Sequence, residues 1–171
     1  MEFTYIFIVC SSLALLLIVL VRAVKNFSVA GSKPFLWQII FVAIWSVGSL
    51  MEMFSSSEQS MLLWRNIEQI GIFLLPVVCV YFAVDYAGYD RIKKFLPLLL
   101  IIPITAIVLI FTDSSTHIMR NGYIVSYSPL FGKALSVQQT NIGMVFVAYN
   151  YILAFFLWQS SMCFQDRFPK I

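Results

Sequence analysis

The sequence predicts an all-α polytopic membrane bundle of about five transmembrane helices, with the amino terminus outside and the carboxyl terminus inside. Three observations carry that prediction. Of 171 residues, 61% are hydrophobic and only 11% charged, with a mean hydropathy of +0.90, whereas an ordinary soluble domain is roughly a quarter charged. The apolar residues come in runs long enough to cross a hydrocarbon core about 30 Å thick, which takes about 20 residues per helix. Basic residues gather on alternate connections between those runs. Helices are expected rather than strands, because lipid offers no partner for open backbone groups and the runs are about twice the length of a barrel strand. The formal net charge of +3 is small and split between loops, so nothing points to nucleic acid, and five spans leave no room for a soluble catalytic domain.

The first span covers about 3–21 and follows Glu2 rather than a basic segment, which argues against a cleaved signal peptide. Arg22, Lys25 and Lys33 come after it, and the stretch 25–34, with Asn26, Ser28, Gly31, Ser32 and Pro34, has turn composition. The second span, about 35–54, carries Trp37 and Trp45 and has Glu52 near its outer end; a serine-rich loop follows. The third, about 64–87, enters through Trp64 and leaves through Arg91, Lys93 and Lys94, with an uncharged stretch from 70 to 84 interrupted by Pro76. The fourth, about 95–111, has Pro97 near its start and Pro103 inside it. The connection of about 112–140 is the longest polar segment and is expected outside, with short strands or an interfacial helix. The fifth span, about 141–164, closes with Asp166, Arg167 and Lys170.

The charge count fixes the expected orientation. Eight basic residues fall on the inner connections and three, Arg65, Arg120 and Lys133, on the outer side, which accounts for all 11. Cys10, Cys79 and Cys163 fall in apolar runs without metal-like spacing and read as buried small hydrophobes. No pair of glycines is spaced for a Gly-x-x-x-Gly dimer seam.

Catalytic chemistry has no foothold here: there is one histidine, and no phosphate loop, nucleophile elbow or two-histidine metal motif. No cofactor or metal is expected. The informative charges are Glu52, Arg65 and Glu68, near the outer edge of the hydrocarbon, where an ionisable group is costly unless it faces protein, water or a countercharge. Arg65 and Glu68 stand three apart and meet on one helix face. The plain reading is a local ion pair at the interface. The functional reading is a polar ligand pocket completed by Glu52 and by the 113–120 loop, where His117 is a candidate contact or simply a polar loop side chain. Asp85 and Asp90 beside Arg91 and Lys93 read as interfacial salt links, and Pro76 and Pro103 as helix bends.

One order of residues carries a likeness. Trp64, Ile70-Gly71, Pro76, Phe82 and Asp85-Tyr86-Ala87-Gly88, then a basic turn, a proline-containing fourth span and Thr112-Asp113 to His117, resemble the N-terminal seven-transmembrane sensory region of bacterial histidine kinases. The same module occurs ahead of diguanylate cyclases. The resemblance covers about 64–158, and the first two spans are compatible with it. It implies one transmembrane sensor-type domain over 1–171 in the bacterial plasma membrane, passing an extracellular or membrane-borne cue to a cytoplasmic kinase. Spans six and seven, the phosphoacceptor histidine and the ATP-binding domain are not in this sequence, so the chain reads as the first five spans of such a region.

The partners implied are the lipid bilayer, a small-molecule or peptide signal and a cytoplasmic kinase or other output domain in cis or trans, with homodimerisation left open. Two other classes compete. A transporter or channel subunit would need acid, base or broken-helix pairs at the span centres, which the sequence lacks. An accessory scaffold that packs against a partner without a ligand needs none of these features.

Overall fold

The computed structural model describes residues 2–29, 31–88, 90–128 and 132–165. Asp166, Arg167 and Lys170, expected to close the last span, lie outside these residues, as do the side chains of Asp90, Trp158 and Cys163. Helix α1 (Glu2–Lys25) leads to α2 (Ser32–Phe54) and α3 (Glu58–Tyr86), then a one-turn α4 (Asp90–Lys93), a 3-10 segment (Leu96–Leu100) and α5 (Ile101–Thr116). An antiparallel hairpin, β1 (Arg120–Ser128) and β2 (Gly132–Gln139), precedes α6 (Asn141–Gln165). Four stretches are long and apolar enough to cross a membrane, Tyr5–Lys25, Ser32–Phe54, Glu58–Tyr86 and Arg91–Thr116, and α6 adds an apolar helix over Asn141–Leu157. The chain is an all-α polytopic membrane bundle carrying one hairpin.

Helices α2 and α3 form the most extensive pairing in the bundle. They run antiparallel: contacts climb from Glu52–Arg65 near the connecting turn, through Gly48–Glu68 and Trp45–Gly71, to Gly31–Phe82 at the far end. Two glycines set the distance. A Cβ on Gly71 would lie 2.5 Å from the Phe41 carbonyl oxygen, and one on Gly48 would lie 2.9 Å from Glu68 Cβ. Neither belongs to a Gly-x-x-x-Gly pair, yet together they do for two helices of one chain what that motif does between chains. Helix α1 rests on α2, with Tyr5 and Ser49 hydroxyls 2.8 Å apart.

Helices α5 and α6 pack on α3 around Phe73, Ala106, Ile110 and Met119, flanked by Ile107, Leu109 and Phe146. Pro103, fully buried, is the third residue of α5 rather than a mid-span residue. Having no N–H, it cannot donate to the carbonyl four residues back, Leu99. The Tyr149 hydroxyl of α6 donates to that carbonyl instead, at 2.9 Å.

Element boundaries differ from the sequence expectation for local reasons. Helix α3 starts at Glu58 because the Ser57 side chain accepts from the Ser60 N–H at 3.2 Å, and Glu58 sits favourably in the first turn. Helix α5 runs past 111 to Thr116, where Thr112 and Thr116 return hydrogen bonds to Val108 O and Thr112 O at 3.0 and 3.2 Å. It stops at His117, which adopts the left-handed conformation with φ 48° and donates its N–H to Asp113 O at 2.9 Å. Cys10, expected to be buried, is exposed because α1 turns most of its surface away from the protein, and Cys79 on α3 is half-buried.

The long polar connection resolves into strands. In the hairpin Val125 stands opposite Leu135, with an irregularity between Arg120 and Gly122. Thr140 closes its base, donating its N–H to Met119 O at 3.1 Å, and its hydroxyl caps α6 by accepting from Gly143 N at 3.1 Å. The hairpin thus folds back over the α2–α3 turn and contacts both helices through β2.

Candidate functional site

At the hairpin end, three charged side chains share one cluster, its two acids buried and Arg65 partly exposed. Trp45, Gly48 and Glu52 recur on one face of α2, as a helix of 3.6 residues per turn requires. Arg65 and Glu68 occupy the facing side of α3. Gly48 leaves room for Glu68, whose Oε1 accepts from Trp45 Nε1 at 2.9 Å. Arg65 lies between the acids, with Nε 2.9 Å from Glu52 Oε2, Nη2 3.0 Å from Glu52 Oε1 and Nη1 3.4 Å from Glu68 Oε2. Glu52 and Glu68 are 3% and 5% exposed. Charges so far from water persist only when paired and hydrogen-bonded, because attraction in a low-dielectric setting must offset the loss of hydration.

The hairpin completes the cluster through its backbone. Leu135 donates its N–H to Glu52 Oε1 at 2.8 Å and accepts from Arg65 Nη2 at 2.7 Å. A spanning-helix acid and a spanning-helix base therefore grip one residue of β2 from both sides, closing the edge that the strand would otherwise offer. Lys133 Nζ adds a bond to Ser55 O at 3.3 Å.

A cavity of about 230 Å3 opens beside this cluster, between α3, α5, α6 and the hairpin. Arg65, Gln69, Arg120 and Gln139 supply its polar wall, and Phe73, Ile110, Met119 and Val147 its apolar wall. Asp113 is buried and accepts from the Met119 N–H at 2.7 Å, which pins the start of β1. Arg120 is buried as well, and that burial lowers its pKa from the ordinary value, with Asp113 opposing the shift. A guanidinium starts so high that it stays a cation. Among the described residues no three His, Cys, Asp or Glu side chains are grouped to hold a metal ion.

Of the residues the sequence singles out, the structure brings together Glu52, Arg65 and Glu68. His117 stands apart: its side chain is exposed and it shapes the α5–β1 turn through its backbone. Pro76, inside α3, and Pro103, at the start of α5, lie outside the cluster. Trp45 and Leu135 were not among the expected partners, whereas Arg120 ends the 113–120 loop that the sequence put beside the pocket. The helical spacing of Trp45, Gly48 and Glu52 was the signal available for the first; nothing local marks Leu135.

At the opposite end, Asp85 Oδ2 accepts from Gly31 N at 2.7 Å and Asp85 Oδ1 pairs with Lys93 Nζ at 2.7 Å, joining the α1–α2 turn, α3 and α4. Asp85–Lys93 is the interfacial salt link that the sequence led one to expect.

Comparison with known proteins matches one family model, described as the N-terminal 7TM region of histidine kinase, over residues 6–166. No curated protein and no solved structure matches the chain. The match takes in the first two spans, which the sequence likeness had left merely compatible, and it runs from α1 through the hairpin into α6. The chain belongs to the family of N-terminal 7TM regions of histidine kinases.

Proposed function

We propose that this chain is the sensory input domain of a two-component histidine kinase, reading an extracellular or membrane-borne signal at its hairpin end. In this reading α1, α2, α3, α5 and α6 are five spans, the hairpin and amino terminus face outside, and α6 carries the response to a cytoplasmic output domain. Catalysis belongs to that output. The orientation rests on the excess of Lys and Arg on the connections at the other end.

The observation that carries the proposal is the grip of Glu52 and Arg65 on Leu135. It couples an extramembrane hairpin to two spanning helices through charge-assisted bonds, so a ligand that moves the hairpin changes the partners of buried charges. Such a ligand shifts the bundle only by its different affinity for the two arrangements. Glu52, Arg65 and Glu68 form the responsive site in this scheme, and His117 lies apart from them on the turn that leads to Arg120. Pro76 is the point where α3 bends, and Pro103 marks the junction at which the 3-10 segment passes into α5.

The test is signal-dependent autophosphorylation of a histidine kinase carrying this region as its input, reconstituted in lipid nanodiscs. Glu52→Gln and Arg65→Met are expected to lock basal phosphorylation at one level and remove the response. A response of wild-type size in both variants rejects the proposal.

A further inference from the structure

We infer that the cavity between α3, α5, α6 and the hairpin is a binding site for a small organic carboxylate with a short apolar or aromatic body, its head on Arg120. This rests on the sensory reading above and gives its ligand a chemical class.

Arg120 carries the argument. It is only 8% exposed, it lines the cavity, and among the described residues its guanidinium has no hydrogen-bonded or ion-paired partner. The other arginine in that wall is committed: Arg65 serves Glu52, Glu68 and Leu135 O. Asp113 acts on Arg120 electrostatically, but one of its carboxylate oxygens is held by Met119 N–H. The Arg120 donors open onto the cavity with no direct protein acceptor among the described residues, and a carboxylate seated there in a bidentate fork supplies one through charge-assisted hydrogen bonds.

The rest of the cavity describes the body of the ligand. Phe73, Ile110, Met119 and Val147 make an apolar face, while Gln69 and Gln139 offer amide groups beside the charged end. Benzene fits an apolar cavity of about 150 Å3. A cavity of about 230 Å3 therefore takes a six-carbon ring or short chain together with a carboxylate, whereas most of a long acyl chain would lie outside it. That size separates a free carboxylate from a membrane fatty acid.

The experiment uses the chain in nanodiscs and calorimetric titration with benzoate, phenylacetate and hexanoate, each against its neutral amide, with palmitate as the lipid-derived arm. At least one short carboxylate is expected to bind about ten- to a hundredfold more tightly than its amide. Arg120→Met should remove that preference. Val147→Phe, which fills the apolar end and leaves every charge in place, should weaken carboxylate and amide alike. The Arg120→Lys variant keeps the charge without the fork and is expected to fall between wild type and Arg120→Met, which also guards against a variant that fails to fold. If no short carboxylate outbinds its amide, or if palmitate alone binds, the inference is overturned. A carboxylate that binds through Arg120 yet leaves kinase output unchanged upholds the site and rejects the sensory reading instead.

Discussion

The two ends of α3 hold their neighbours by the same device and at different depths. At the hairpin end a guanidinium and two carboxylates grip a strand; at the other end a carboxylate bridges a turn amide and a lysine. The hairpin cluster is buried on its acidic side, whereas Asp85 and Lys93 side chains keep 21% and 29% of their surface exposed. Water near Asp85 and Lys93 screens their attraction and replaces it when it is lost. Around Glu52 and Glu68 the protein itself is the only source of compensation, so geometry there is specified far more tightly. The comparison teaches that a polar contact on a membrane helix is specified most tightly when it is buried and when it recruits another element's backbone.

Breaking the buried end should have the largest effect. Arg65→Met strands Glu52 and Glu68 without a countercharge, and we expect a loss of about 3–5 kcal/mol in unfolding measured by denaturant titration in mixed micelles. Replacing both acids in the same chain, Glu52→Gln with Glu68→Gln, should return part of that loss. If it does not, the loss comes from packing and the contrast between the two ends weakens.

A second change asks whether the cluster depends on the closeness of α2 and α3. Gly71→Leu forces a side chain against the Phe41 carbonyl and the Trp45 backbone, at about 1–3 kcal/mol. Disulfide trapping between cysteines placed at 44 and 72 should slow in the same variant; an unchanged trapping rate would mean the helices do not need that approach.

The smallest effect belongs to the other end. Lys93→Ala should cost at most about 1 kcal/mol, and added salt should erase even that difference. A loss as large as that of Arg65→Met would show that exposure is the wrong measure of the two clusters.

Much of this was legible beforehand, and the parts that were not share a cause. The apolar runs and their basic flanks located the helices to within about two turns, and the likeness around Trp64 to His117 named the family. The boundary errors came from side chains that cap or extend helices, Ser57, Thr112 and Thr116, which hydropathy does not weigh. Arg65 and Glu68 were recognisable as a pair because three residues on a helix bring side chains together without help from elsewhere. His117 drew notice as the lone histidine; its contribution here is a left-handed backbone that ends α5.

By itself the sequence determined that this protein is a membrane helical bundle, because span length and charge asymmetry are one-dimensional properties set by the thickness and polarity of a bilayer. Only the tertiary structure decided that Glu52 faces Arg65, that both hold Leu135, and that Arg120 enters a cavity beside them. Those contacts depend on how far each helix is rotated about its axis and how closely two backbones approach, which Gly48 and Gly71 set. They depend also on a hairpin that pairs with itself and folds back over the helices. Rotation, approach and return of the chain are three-dimensional quantities, and local periodicity carries no record of which faces will meet.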